Sequence, residues 1–573
     1  MRSVKNIMQK KRIQFLFITI LLLINISGCS YINTVRLSSA YNEDNSADAA
    51  YHYSLGILSR LDGKTEEAIV ELEKAHKSDP DSYYLITELV SLYTEKGDFE
   101  RAISLGEKTL SKDPNNIDLH LIMGGLYLNR REYQKAIREH EKVVELDPKN
   151  LVAYLYLAII YATENNFVKA EEYFNKILKI DPDNVTGIYY YGKLLADMER
   201  FEDAEKMYKK VLSLRPYFEL AIFDLAALYE KQNKINKAII LYRDYYEENP
   251  TRMNIRIKIG DLLIKDKKNE EAINEYQEVL KSDPDNREAR IKLGILYYDM
   301  RRFDSAASEF SMILDKNISD SRVRFLLAST YEEKGESKLA LEEYQKIPAT
   351  SELYATARIH AGMIFKNEGK ITEAINLIRE ALEKNKEQIP LYIYLSSLYE
   401  EAKDIAAAEK ILYEGIKLFP KDVDLRYALG VIYEKTNRFP ESMKEMETVL
   451  HLDPENAEAL NFIGYSYADR GINLEEAEKM IIQALKLKPE NGYIIDSLGW
   501  VHFKQNKLDS AVKHLQRALK ILPDDVNIAE HLGDVYAKIG KNKNAQEMYK
   551  RALKLAPNNN SLQKKYEELI KKE

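Results

Sequence analysis

The chain has 573 residues, 45% of them hydrophobic and 31% charged, with 84 basic against 92 acidic side chains and a formal net charge of −8. An acidic balance of this kind excludes a nucleic-acid-binding surface, which relies on basic patches to neutralise phosphates. The single cysteine, Cys29, excludes any internal disulfide.

Residues 1–28 open the chain with five basic residues, Arg2, Lys5, Lys10, Lys11 and Arg12, followed by a twelve-residue apolar run from Phe15 to Ile26. That run is too short to span a membrane comfortably and reads as a secretion signal. Ile26-Ser27-Gly28-Cys29 follows at once. It resembles the lipobox of bacterial lipoproteins, and the resemblance implies that Cys29 is acylated and becomes the new N-terminus, placing the chain on a membrane through its lipid. Ser30, where inner-membrane retention would call for Asp, favours the outer membrane, with the protein facing the periplasm. A chain starting at Cys29 keeps 79 basic and 92 acidic residues, a formal net charge of −13.

Residues 29–48 are polar and weakly patterned, and are expected to form a lipidated, flexible tether. Fully extended, the 19 residues from Ser30 to Asp48 reach roughly 60 Å.

From Ala49 to Asn559 one unit returns every 34 residues. In the copy Ile117–Asn150, Leu119, Met123, Tyr127 and Leu128 recur at helical spacing around Gly124-Gly125. Tyr133, Ala136, Ile137, His140 and Val144 do the same in a second helix, which Asp147-Pro148 closes. The closing phase runs through Pro80, Pro114, Pro148, Pro182, Pro216, Pro250 and Pro284, passes Ile318, Glu352 and Lys386, and resumes at Pro420 and Pro454. After one inserted residue it continues at Pro489, Pro523 and Pro557, giving fifteen copies. Twelve residues before each closing position stands a small residue, fourteen alanines and one serine (Ser442), which lets a second helix approach closely.

This pattern resembles the tetratricopeptide repeat family, whose Leu-Gly, Tyr, Ala, Phe/Tyr, Ala and Pro phases all occur here. The resemblance implies an all-α fold: a right-handed alpha-solenoid of about 15 tandem helix-turn-helix repeats. Residues 560–573, with Leu562, Tyr566, Leu569 and Ile570 on one face, are expected to be a C-terminal capping helix. Pro348 arrives early and should shorten its helix. A bend there would divide the array into nine repeats over 49–354 and six over 355–559.

No chemistry-bearing constellation emerges. The nine histidines never fall within four residues of one another, so no helical metal-ligand pair exists, and neither a phosphate loop nor a nucleophile elbow is present. His140 and His502 occupy phases held elsewhere by core aromatics and read as satisfied packing histidines. The chain therefore reads as non-enzymatic, with no cofactor, no metal and no catalytic residue.

The resemblance also implies a concave inner face. The phases that line it carry Tyr84, Tyr189, Phe223, Phe325 and Tyr427, then a denser group in the last three repeats: Asn461, Tyr465, Tyr493, Asp496, Trp500, Glu530 and Asp534. Exposed aromatics flanked by carboxylates suit protein or peptide contacts. The Lys/Asn clamp for a C-terminal carboxylate known in this family is absent in matching order. The expected function is a lipid-anchored scaffold that holds other envelope proteins or peptides in its groove, in assembly or export machinery such as exopolysaccharide secretion or pilus and secretin assembly. The alternative is an allosteric activator or adaptor of a cell-wall-synthesising enzyme. The same surface composition also suits self-association.

Overall fold

The computed structural model describes residues 43–570, and the expected secretion signal, Cys29 and most of the expected tether lie outside them. The described residues form 31 helices and no strand. They alternate strictly, a first helix (A) such as Ile117–Asn129 and a second (B) such as Tyr133–Leu146. The first A helix, Glu43–Leu61, starts six residues before Ala49, so the tether expected to run to Asp48 ends earlier. Asp48 belongs to the array: its carboxylate accepts from Ser78 Oγ at 2.5 Å and lies 3.6 Å from His52.

The turns are set by short polar signals. In Asp147-Pro148-Lys149-Asn150, Asp147 accepts from the Lys149 amide and the Asn150 side chain, while Asn150 caps the next helix by accepting from the Ala153 amide at 3.0 Å. Asp181/Asn184, Asp283/Asn286 and Asp453/Asn456 repeat the side-chain bond. Each such cap contributes about 1 kcal/mol.

The A–B turn needs one left-handed residue per repeat. Glycine fills that phase at Gly63, Gly97, Gly335, Gly369, Gly471 and Gly540, whereas Arg131, Asn165, Glu199, Asn233, Lys267 and Arg301 adopt it with φ of 57–61°. The inserted residue also falls in such a turn, where Gly471 and Asn473 both take positive φ. A left-handed Glu costs about 1–2 kcal/mol, offset in part by the unfolded-state freedom of glycine. Glu199→Gly is therefore expected to stabilise its unit by about 0.5–1 kcal/mol, read as a rise in the thermal midpoint.

Helices A and B close together on small residues. Ala136 is fully buried, and a Cβ on Gly294 would lie 2.6 Å from the Phe310 ring. Ala136→Leu is expected to overpack this contact by about 1–3 kcal/mol, measurable by urea unfolding.

A further device recurs at the fourth position of helix A. His52, His120, Arg256, Arg290, Arg324 and Arg426 each pair with a glutamate nineteen residues on, for example Arg290–Glu309 at 2.6 Å and Arg426–Glu445 at 3.0 Å. Arg290 and Arg426 also donate to the carbonyls of Pro284 and Pro420, tying helix A to the turn before it. Where the phase holds Ile86, Ile188 or Ile222, the glutamate's place holds Leu105, Met207 or Leu241.

By compactness the chain divides into two units, Met1–Ser282 and Asp283–Glu573. Pro348 does shorten its helix, Ser337–Gln345, to nine residues against the usual fourteen of a B helix. The core nevertheless passes through this stretch, because Tyr344 and Ile347 pack with Ala357, Ala361 and Ile364.

Candidate protein-binding surface

The residues expected to line a groove near the C-terminus lie on three successive A helices, Ala457–Arg470, Gly492–Lys504 and Val526–Lys538. Asn560–Ile570 takes the next A position. Because consecutive A helices run side by side, a residue meets the one about 35 further on. Most members of the group are thereby engaged with one another.

Trp500 is only 8% exposed and is not the free aromatic anchor expected. Its ring stacks on His531, with centroids 4.1 Å apart, and on Phe503 at 5.0 Å. Its indole N–H donates to Asp469 at 3.2 Å, and the Lys504 ammonium lies 5.0 Å over the ring. Asp496 is buried too, its oxygens 3.0 and 3.1 Å from His531 Nδ1. Since a carboxylate only accepts, this contact puts a proton on Nδ1 and fixes the ring's orientation for the Trp500 stack.

Glu530 and Asp534 face the terminal helix. Lys565 Nζ sits 2.7 Å from Glu530 and 2.7 and 2.9 Å from Asp534, which also accepts from the Tyr549 hydroxyl at 2.7 Å. Burial alone would lower the lysine's pKa, but the bonds to Asp534 and Glu530 outweigh it and hold it above the usual value.

Tyr465 is half-buried, 6.3 Å from the His531 ring. Burial, then the carboxylates of Asp469, Asp496, Glu530 and Glu434, push its hydroxyl pKa upward. Asn461 is half-buried, with its amide oxygen enclosed and lacking a hydrogen-bond partner. Tyr493, 58% exposed, is the one aromatic of the group that stands largely free.

His531, Asp469 and Lys565 are the members that the sequence reading missed. The signal for His531 and Lys565 was their place 35 residues after Asp496 and Glu530. The other inner-phase aromatics divide in the same way. Tyr189 is buried with its hydroxyl on Asp224 at 2.7 Å, and Phe325 packs against Tyr344 and His360. Phe223 and Tyr427 are half-buried, against Tyr242 and Phe462. Tyr84, at 54% exposure, bonds Tyr53 through the two hydroxyls.

The packing histidines differ from expectation. His140 is fully enclosed, yet neither ring nitrogen has a partner, and His502 meets Glu478 through Nε2 while Nδ1 has none. Among the described residues no group of three or more His, Cys, Asp or Glu could hold a metal, and no helix is long and apolar enough to cross a membrane.

Tetratricopeptide repeat models match residues 60–123, 127–189, 192–252, 263–329, 400–464 and 527–559, and a TPR repeat model matches 499–540. The chain belongs to the tetratricopeptide repeat (TPR) family. Between the matched TPR segments lies 330–399, the stretch that holds the proline-shortened helix. A TPR repeat-containing protein of Pseudomonas aeruginosa is 26% identical over 156 residues, 27% of this chain and 26% of that one, so the chain spans about a quarter of that relative's length. Naa15/Naa10 bound to HypK-THB is similar at 15% identity and a TM-score of 0.38, covering 91% of this chain and 96% of that one. Yeast Tom70 is similar at 18% identity and a TM-score of 0.36, covering 78% and 93%. A TPR array of this kind is a scaffold suited to protein–protein interaction.

Proposed function

We propose that this TPR chain is a non-catalytic scaffold of the bacterial envelope, anchored through lipid on Cys29 to the periplasmic face of the outer membrane. There it holds segments of other envelope proteins during assembly or export, such as polysaccharide secretion or pilus and secretin assembly. The address is supported by Ile26-Ser27-Gly28-Cys29 after a basic and then apolar leader. The binding role is supported by one observation: on the last A helices Glu530 and Asp534 together hold the Lys565 ammonium, and Tyr493 is exposed. A partner segment bearing Lys or Arg next to an apolar residue fits that chemistry, since charge-assisted bonds give direction and an aromatic anchor gives contact area.

The anchor is tested by growing cells on an alkyne-tagged palmitate. The intact chain should take up the tag and sediment with membranes, and Cys29→Ala should do neither. Equal labelling of both would remove the lipid from this reading.

A further inference from the structure

The fourth residue of helix A repeatedly reaches back to a carbonyl of the turn before it. Arg290 and Arg426 donate to the carbonyls of Pro284 and Pro420, Arg324 to that of Ile318, and Tyr154 and Tyr392 to those of Pro148 and Lys386 at 3.2 Å. In the repeat Ile117–Asn150 this role falls to His120, whose Nε2 lies 3.0 Å from the Pro114 carbonyl. Its Nδ1 lies 2.6 Å from Glu139, so the ring also reproduces the arginine–glutamate pair of other repeats. A carbonyl and a carboxylate only accept, and both contacts are therefore made only when each ring nitrogen carries a proton. His120 is 7% exposed, which leaves little water to stand in for a lost partner.

We infer that His120 is a proton-operated clasp in the third repeat, closed while the ring is charged and half open once it is neutral. Closed, it ties Ile117–Asn129 both to the turn before it and to Tyr133–Leu146 after it. A neutral ring has one N–H, so one nitrogen then turns a lone pair on an acceptor and that tie opens. Arginine and tyrosine at the same phase keep their protons through the neutral range, so their ties do not respond. His52 shares the phase, but its Nε2 faces the Asp48 carboxylate at 3.6 Å instead.

The surrounding charges fit this reading. Tyr133–Leu146 brings Glu139 and, acting weakly against the proton, Lys142, which Glu145 holds at 3.1 Å. Phe99–Leu110 brings Glu107, which accepts from the Tyr127 hydroxyl at 2.6 Å, and Tyr83–Lys96 brings Glu88, paired with Arg60 at 2.7 Å. Leu151–Thr163 carries no charged side chain, and Asp118 on the ring's own helix is exposed. In the turn, Lys112 lies 3.7 Å from Asp81, and Asp113 stands one residue before Pro114. Burial alone would lower the ring's pKa, but the bonds to Glu139 and Pro114 outweigh it and hold it above the ordinary 6.5. The clasp is thus whole below pH 6.5 and is lost as pH rises through the higher value of the folded chain.

The test is amide hydrogen exchange of the full chain, read by mass spectrometry over residues 113–129 and divided by the intrinsic rate at each pH. From about pH 6.5 to about pH 9 the parent should come to exchange there roughly tenfold faster, the factor that one charge-assisted bond carries. His140, beside Gly124, is uncharged over that range and adds nothing. His120→Arg, the residue found at this phase in Arg290 and Arg426, should flatten the profile. His120→Tyr, which like Tyr154 can reach the carbonyl, should flatten it too. Residues 287–299, held by Arg290, should be flat in every protein. A parent profile as flat as that of 287–299, or a rise that survives both substitutions, would overturn the inference.

Discussion

Arg358→Ala is expected to cost the Asp283–Glu573 unit about 3–4 kcal/mol, the largest effect of any single substitution considered for it. Pro348 ends the helix Ser337–Gln345 and has no N–H to give the Tyr344 carbonyl its ordinary partner four residues on. The buried guanidinium of Arg358 supplies the missing donors. It donates to the Tyr344 carbonyl, to that of Gln345 at 2.9 Å and to that of Ile347 at 3.1 Å, and it lies 4.6 Å over the Tyr354 ring. In Arg256, Arg290, Arg324 and Arg426 the same phase finds a glutamate nineteen residues on, but Arg358 finds Leu377 there. The side chain has been turned from an ion pair to a helix cap. Alanine leaves the buried carbonyls of Tyr344 and Ile347 and the more open one of Gln345 short of a donor, and of these only Tyr344 keeps a long bond from the Ile347 amide at 3.3 Å. Each unsatisfied acceptor costs about 1–3 kcal/mol, and lost contact with Tyr354 adds about 0.5–1. Arg358→Lys should recover less than half, because one ammonium cannot span the three oxygens. Urea unfolding and amide exchange over 337–364 measure this. A loss below about 1 kcal/mol would mean that water replaces the arginine.

His140→Phe is expected to stabilise the Met1–Ser282 unit by about 1–2 kcal/mol at pH 7, and by more in acid. The ring is fully buried, stacked 4.7 Å from Tyr156, and neither nitrogen has a hydrogen-bond partner. One N–H is therefore always orphaned. Phe174 and Phe310 fill the same phase in other repeats, the latter directly over Gly294 as His140 lies over Gly124. Burial pushes the imidazole pKa down to about 3 from 6.5. Below pH 6.5 the unfolded chain takes up a proton that the folded chain refuses until about pH 3. Stability is thus intact above 6.5 and lost as pH falls through that window, at about 1.4 kcal/mol per unit. Phenylalanine removes this term, so the gap between variant and parent should widen by about 2 kcal/mol from pH 6.5 to 5. Parallel stability curves for the two proteins across that range would contradict it.

The 34-residue phase made much of the fold legible. It placed the helices, the small residue at the A–B contact and the proline-shortened helix, because each depends on side chains within one repeat. It did not reveal which inner-face residues are free. Trp500 sits at an inner phase, yet whether it projects or packs is decided by His531, a repeat later on the neighbouring helix. Tyr189 is settled in the same way by Asp224, and Glu530 by Lys565. Pairing each inner position with the one 35 residues on finds Asp496–His531, Tyr189–Asp224 and Glu530–Lys565, but Trp500 meets His531 and Asp469 at an offset of 31, which that pairing does not reach. The left-handed turn phase was half visible: six glycines mark it, whereas Glu199 and Lys267 adopt it without being residue types that favour positive φ.

The most direct measurement of the scaffold reading is a crosslinked pull-down from native membranes, with partners quantified by mass spectrometry. It compares the intact chain, Cys29→Ala, and a groove variant combining Tyr493→Ala with Glu530→Gln and Asp534→Asn. A membrane-placed scaffold with a working groove should capture several envelope proteins together, lose them together without the lipid, and lose at least one selectively in the groove variant. A single enzyme retained by both variants would contradict that account and favour an activator that binds elsewhere on the array.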